Sequence, residues 1–192
     1  MAGCQGLLAL TTEENALDFL ERAAEFAQRQ DLPTWPKWVA ICLHHALYGF
    51  LICALHAGGD ERRFMAQGKK GKWLISFGEA LGRAQDDSWM MQYAMSKPLV
   101  LSPSEAKAIR FLQGGLRNGF MHFAPHIWGI EHGDVTEVIP HVLRVVTFLV
   151  FESGNLVLLS DQQRSGVRLA IEGIRAGIEQ ARRGAIDTSP GF

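Results

Sequence analysis

Arg117, Asn118 and His122 fall within LRNGFMHFAPHIWGIE, residues 116–131, on a segment whose start carries clear helix signals. A histidine near an arginine suits phosphodiester cleavage in RNA. The imidazole takes the 2′-hydroxyl proton, and the guanidinium stabilises the charge that develops on the phosphate. That chemistry needs no metal. Asn118 stands four residues before His122, one turn away on the same helical face, where it can orient the imidazole. Arg117 is five residues from His122, about 140° round an ideal helix, so a straight helix does not stack the two. A loosened helix end, a reaching guanidinium or pairs pooled from two chains would bring them together. Gly114, Gly115 and Gly119 favour loosening, because a glycine costs about 1 kcal/mol in a helix interior relative to alanine. Gly115 and Gly119 are one turn apart and would also admit another backbone or a ligand. The competing assignment pairs Arg117 with an acid such as Glu131 and sets His122 against the last helix carbonyls.

A second chemistry-bearing cluster precedes it. Arg62, Arg63, Lys69, Lys70 and Lys72 form the densest basic group, with Phe64 and Trp73 available for stacking, which points to RNA backbone contact. GKKGKW lacks the four-residue glycine spacer and the Ser or Thr of a phosphate loop. His126 and Trp128, just behind His122, are candidates for the wall of a nucleotide pocket. Cys42 with His45, and Cys53 with His56, stand three apart and can each offer two zinc ligands. Eleven helical residues separate the pairs by about 16 Å, so they cannot share an ion. No metal and no cofactor is expected.

The elements that must position these residues read as helices. Thr11 and Glu14 form a capping box ahead of Ala16, Leu17, Leu20, Ala24 and Ala27. Thr34 and Pro36 launch a long apolar helix that Gly58 and Gly59 stop. DERRFMAQGKKGK, residues 60–72, reads as loop, and Trp73 to Asp86 as a third helix. SWMMQYAM extends that helix or forms a separate turn. Ser102, Pro103 and Glu105 open the segment carrying Arg117. Asp134 and Pro140 mark the entry to VLRVVTFLVF, read as helix rather than strand. Ser160 and Gln163 open a last helix over 160–183, with Arg182 and Arg183 at its negative end and Gly184 beyond. Residues 185–192 read as a disordered tail. The expectation is one domain over 1–184, an all-α bundle of five to six helices.

The 192 residues carry 19 basic and 20 acidic side chains and are 47% hydrophobic. A sizeable core follows, and a global positive field drawing the chain onto nucleic acid is excluded. Three cysteines without CxxC spacing argue for reduced thiols, and MAGCQGLLAL lacks a signal-peptide core, so a cytoplasmic location is expected. WVAICLHHALYGFLICALHA is long enough to cross a bilayer. Three histidines inside it favour a buried helix of a bundle, so no membrane partner is expected.

LRNGFMHFAPHIWGIE resembles the signature helix of HEPN-domain proteins, whose motif is arginine, a polar residue that is often asparagine, several variable residues and histidine. Arg117, Asn118 and His122 match those places. Phe123, Pro125, Trp128, Ile130 and Glu131 are similar to a branch of small stand-alone bacterial members, and ENALDFLERA resembles that branch's first helix; the likeness spans roughly residues 12–152. The resemblance implies an all-α bundle that homodimerises around a shared cleft. It also implies metal-independent endoribonuclease activity, through a 2′,3′-cyclic phosphate, of toxin–antitoxin or defence type. Arg117 and His122 are then catalytic and Asn118 supportive, with RNA or a nucleotide as ligand and a cognate antitoxin or neighbouring-gene protein as partner. The alternative is a non-catalytic HEPN-like module that binds a nucleotide or a protein.

Overall fold

In the computed structural model, which describes residues 8–69, 71–121 and 129–187, the chain is mostly helical with one small two-stranded sheet. Helix α1 spans Thr12–Gln28 and α2 Trp35–His56. Both halves of the Thr11 capping box form, with Thr11 N–H donating to Glu14 at 2.8 Å and Glu14 N–H to Thr11 Oγ1 at 3.1 Å. Pro36 sits in the first turn of α2, although Thr34 makes no side-chain cap bond. α2 ends at His56, and Gly59, at φ 74°, turns the chain back while its N–H donates to the His56 carbonyl.

α2 is the centre of the core. It packs against α1, α3, the segment carrying Arg117, and α7. Leu43, Leu47, Phe50 and Leu51 are fully buried; burial of such side chains contributes roughly 1.5–3 kcal/mol each. This packing explains how a stretch apolar enough to cross a membrane sits inside a bundle: 78% of its most apolar window is covered by the rest of the fold. α1 is clamped between α2 and α8 by small residues. A Cβ on Gly49 would lie 2.6 Å from Ala16 Cβ, and one on Gly177 only 2.4 Å from the Ala27 carbonyl oxygen.

The stretch expected to be loop is a hairpin. After a single turn at Glu61–Arg63, β1 (Met65–Gly68) pairs antiparallel with β2 (Gly71–Leu74), with Met65 opposite Leu74 and Gly68 opposite Gly71. Gly71 at φ 111° supplies the tight turn. The Trp73 ring lies over Gly68, where a Cβ would meet it at 2.6 Å. Trp73 and Leu74 therefore belong to a strand, and the third helix, α3, starts later, at Phe77–Ala84. Ser76 sets that start, its hydroxyl accepting from Glu79 N–H at 3.2 Å. DSWM forms the short separate helix α4, Asp87–Met90.

Ser102 and Glu105 close the second capping box, opening α5 (Pro103–Arg110). The helix then widens into π geometry over Phe111–Arg117 before a last regular turn, α6, at Asn118–Met121. Asn118 N–H donates to the carbonyl five residues back, at Gln113. Gly114 and Gly115 lie within this underwound turn, as their low helix propensity favours. The loosening thus lies before Arg117, between it and the capped start. At Gly115 the space a side chain would take is held by the Phe111 ring, 2.8 Å from where a Cβ would be.

VLRVVTFLVF is helical, but its helix begins well before Pro140. α7 spans His132–Thr147, and π geometry follows over Phe148–Glu152. Proline in the interior removes one N–H and frees the carbonyl four residues back. That carbonyl, Thr136, accepts from Arg182 Nη2 at 2.7 Å, so α8 supplies the bond that α7 lacks. α8 runs from Asp161 through Gly184 to Asp187, and Ser160 caps it by accepting from Gln163 N–H at 3.2 Å.

Candidate functional site

The underwound turn presents Arg117 and Asn118 to a cavity of about 320 Å³ between the C-terminal end of that helix, the middle of α2 and the start of α3. Gln113, His44, His45, Tyr48, Ser76 and Phe77 complete its lining. α2 contributes its two adjacent histidines here because their face meets α3 and the Arg117 segment rather than α1 alone.

Arg117 is half-buried. Its Nη1 donates to Asn118 Oδ1 at 3.0 Å, while Nε is buried without a hydrogen-bond partner among the described residues. Among the described residues no carboxylate lies within ion-pair distance of it; Glu131, the expected acid, is exposed elsewhere at the start of α7. A guanidinium partly withdrawn from water and lacking an acid favours an anion, above all a phosphate, whose oxygens match its planar donors.

His44 is 5% exposed, and neither ring nitrogen has a hydrogen-bond partner among the described residues. Its ring stacks on Phe77, centroids 4.5 Å apart. Burial, reinforced by neighbouring His45 and Arg117, pushes its pKa down to about 4, so the imidazole is neutral at pH 7. An unsatisfied buried polar group costs about 1–3 kcal/mol, which a polar ligand in the cavity would offset. His45 is held differently. Its Nδ1 contacts the Ile41 carbonyl at 2.8 Å, which makes Nδ1 the donor and leaves the Nε2 lone pair outward in the neutral ring. Its ring stacks on Phe19 at 4.9 Å. Tyr48 donates its hydroxyl to the Ile75 carbonyl and so fixes the wall beside it. Ser76 retains a hydroxyl hydrogen after accepting from Glu79.

Arg117 and Asn118 are thus together, though Asn118 engages the guanidinium. His122, His126, Trp128 and Lys70 lie outside the described residues. Lys69 is exposed at the hairpin turn, away from the cavity lining. Lys72 pairs with Glu61 at 2.5 Å and Arg62 with Asp60 at 2.9 Å, so acids of the same hairpin offset much of the basic cluster. Arg63 turns inward onto the Trp89 carbonyl. Cys42 and Cys53 are buried free thiols, and burial raises both, Cys42 to about 11. Among the described residues no three His, Cys, Asp or Glu side chains converge as a metal site.

The histidine pair on α2 is the part of this site that motif reasoning misses. Its signal is visible in retrospect: two adjacent imidazoles in a stretch, residues 38–57, that has no Lys, Arg, Asp or Glu. Compared with family models, curated proteins and solved structures, the chain matches none.

Proposed function

We propose that the Arg117 cleft binds the phosphodiester of RNA and that the protein is a HEPN-like, metal-independent endoribonuclease. The observation that carries this reading is Arg117 itself, a half-buried cation with no acidic partner among the described residues, bordering a cavity that His44 and His45 also line. Arg117 neutralises the phosphate, and Asn118 steadies the guanidinium through their 3.0 Å bond. His122, the histidine of the motif, supplies the base. It removes the 2′-hydroxyl proton, the 2′-oxygen attacks phosphorus, and the 5′-oxygen leaves, producing a 2′,3′-cyclic phosphate. In this reading two copies pair through their motif helices, which sedimentation at micromolar concentration tests.

A second reading, a nucleotide-binding module without turnover, draws on His44. An imidazole held neutral down to about pH 4 is a binding group and a poor proton donor at neutrality. Incubation of pure protein with total RNA, with and without EDTA, separates the two. Cleavage that survives EDTA and disappears in both Arg117→Ala and His122→Ala supports the nuclease. Intact RNA, with nucleotide binding lost in Arg117→Ala, supports the module. Cleavage unchanged in both variants removes the cleft from the reaction.

A further inference from the structure

A second cavity adjoins the Arg117 cleft. It has a volume of about 340 Å³ and lies between α1, the C-terminal half of α2 and the hairpin. The two share a wall, since His45 and Tyr48 line both. Each is at the small end of the range for ligand pockets, roughly 300–1,000 Å³, and the two lie side by side across His45 and Tyr48.

The chemistry changes from one to the other. At the Arg117 end there is a cation. Beyond His45, no Lys, Arg, Asp or Glu among the described residues lines the second cavity. Its walls are aromatic and aliphatic, with Phe19 stacked on His45 at 4.9 Å and Phe64 set edge-on to His56 at 4.8 Å. Hydrogen-bonding groups, the Asn15 amide and the His56 ring, stand among them. An aromatic recess with polar groups at its border suits a flat heteroaromatic ring that stacks on its faces and hydrogen-bonds at its edge. A charged or aliphatic ligand would leave either its charge or those polar groups unmatched.

We infer that this recess is a nucleobase subsite, filled by the base attached to the phosphate that Arg117 holds. The proposal rests on the phosphate reading of Arg117 and extends it. His45 is the hinge of the arrangement: one wall of its ring belongs to the phosphate cleft and the other to the base recess. Specificity for the base then comes from α1 and α2, through Asn15 and His56, rather than from the helix that carries the motif.

The test titrates the full chain by calorimetry with inorganic phosphate, the four nucleoside 3′-monophosphates and the corresponding free nucleosides. At least one monophosphate is expected to bind ten times or more tightly than inorganic phosphate. Phe64→Ala should weaken that nucleotide about tenfold and Asn15→Ala about threefold, with inorganic phosphate unaffected by either. Arg117→Ala should weaken both phosphate and nucleotide. Nucleotides that bind no better than phosphate, or that ignore both recess variants, overturn the base subsite and leave the phosphate site standing. Phosphate and nucleotide binding that are undetectable, or indifferent to Arg117→Ala, overturn the phosphate reading and the subsite with it. Asn15 is exposed, so its variant decides the question even if Phe64→Ala fails to fold.

Discussion

Two of the places where this molecule buries polar side chains treat them in opposite ways. Around Asn155, which is 1% exposed, the groups are matched: its amide nitrogen donates to the Ala54 carbonyl at 3.0 Å and the Met90 carbonyl at 2.9 Å, while its oxygen accepts from Ser96 at 2.5 Å. Gln92 adds a further bond to Ala54 at 2.7 Å. The node ties the end of α2 to α4 and to the chain leaving the second π segment. In the Arg117 cleft, by contrast, both His44 nitrogens and Arg117 Nε have no such partners among the described residues. A satisfied network specifies a structure, whereas an unsatisfied one lowers stability and is tolerated where a ligand can complete it. The comparison teaches where to look for function in a chain that has few exposed signals.

That contrast can be broken by substitution. Arg117→Ala should lower RNA cleavage about 100- to 1,000-fold while leaving the melting temperature within a few degrees; a gross loss of folding instead would make the cleft structural. Asn155→Ala should do the reverse, destabilising by about 2–4 kcal/mol in urea unfolding because buried carbonyls lose their donor.

His44 sharpens the comparison through pH. Its pKa is near 6.5 when the chain is unfolded and is pushed down to about 4 in the fold. Between those values the unfolded chain binds the extra proton, so stability falls as pH drops through the window, by up to about 3 kcal/mol. His44→Leu should flatten that slope between pH 6.5 and 4 and leave the protein more stable at pH 5 than the wild type. An unchanged slope would mean that His44 is not held neutral. Glu105 adds its own loss at lower pH. Burial pushes its carboxyl up, but bonds from Ser102 and Arg144 outweigh this and hold it below the usual range. The smallest effect belongs to Lys72→Ala. Its pair with Glu61 is exposed and screened by solvent, so the melting temperature should not change measurably, and cleavage should hold steady if the hairpin carries little RNA contact.

How much was legible follows from the range of the interactions. Both capping boxes and the Ser160 start of α8 depend on residues three apart, and each forms as its spacing predicts. Four-residue strands ending in glycine carry almost no alternation, which is why the hairpin reads as loop. Pro140 misplaces a helix start because the bond that rescues its helix comes from Arg182, in another element. At the site, the local pattern isolates Arg117 and Asn118. It has no means of pairing them with His44 and His45, more than seventy residues earlier.

By itself, then, the sequence determined the helical class, most helix starts and the buried course of α2, because backbone propensity, capping and apolar burial act locally or on composition alone. Only tertiary structure decided which side chains share the cleft. Packing α2 against α3 and the underwound turn brings two imidazoles to an arginine that pairs with no acid among the described residues, and charge complementarity across such distances exists only once the chain is folded.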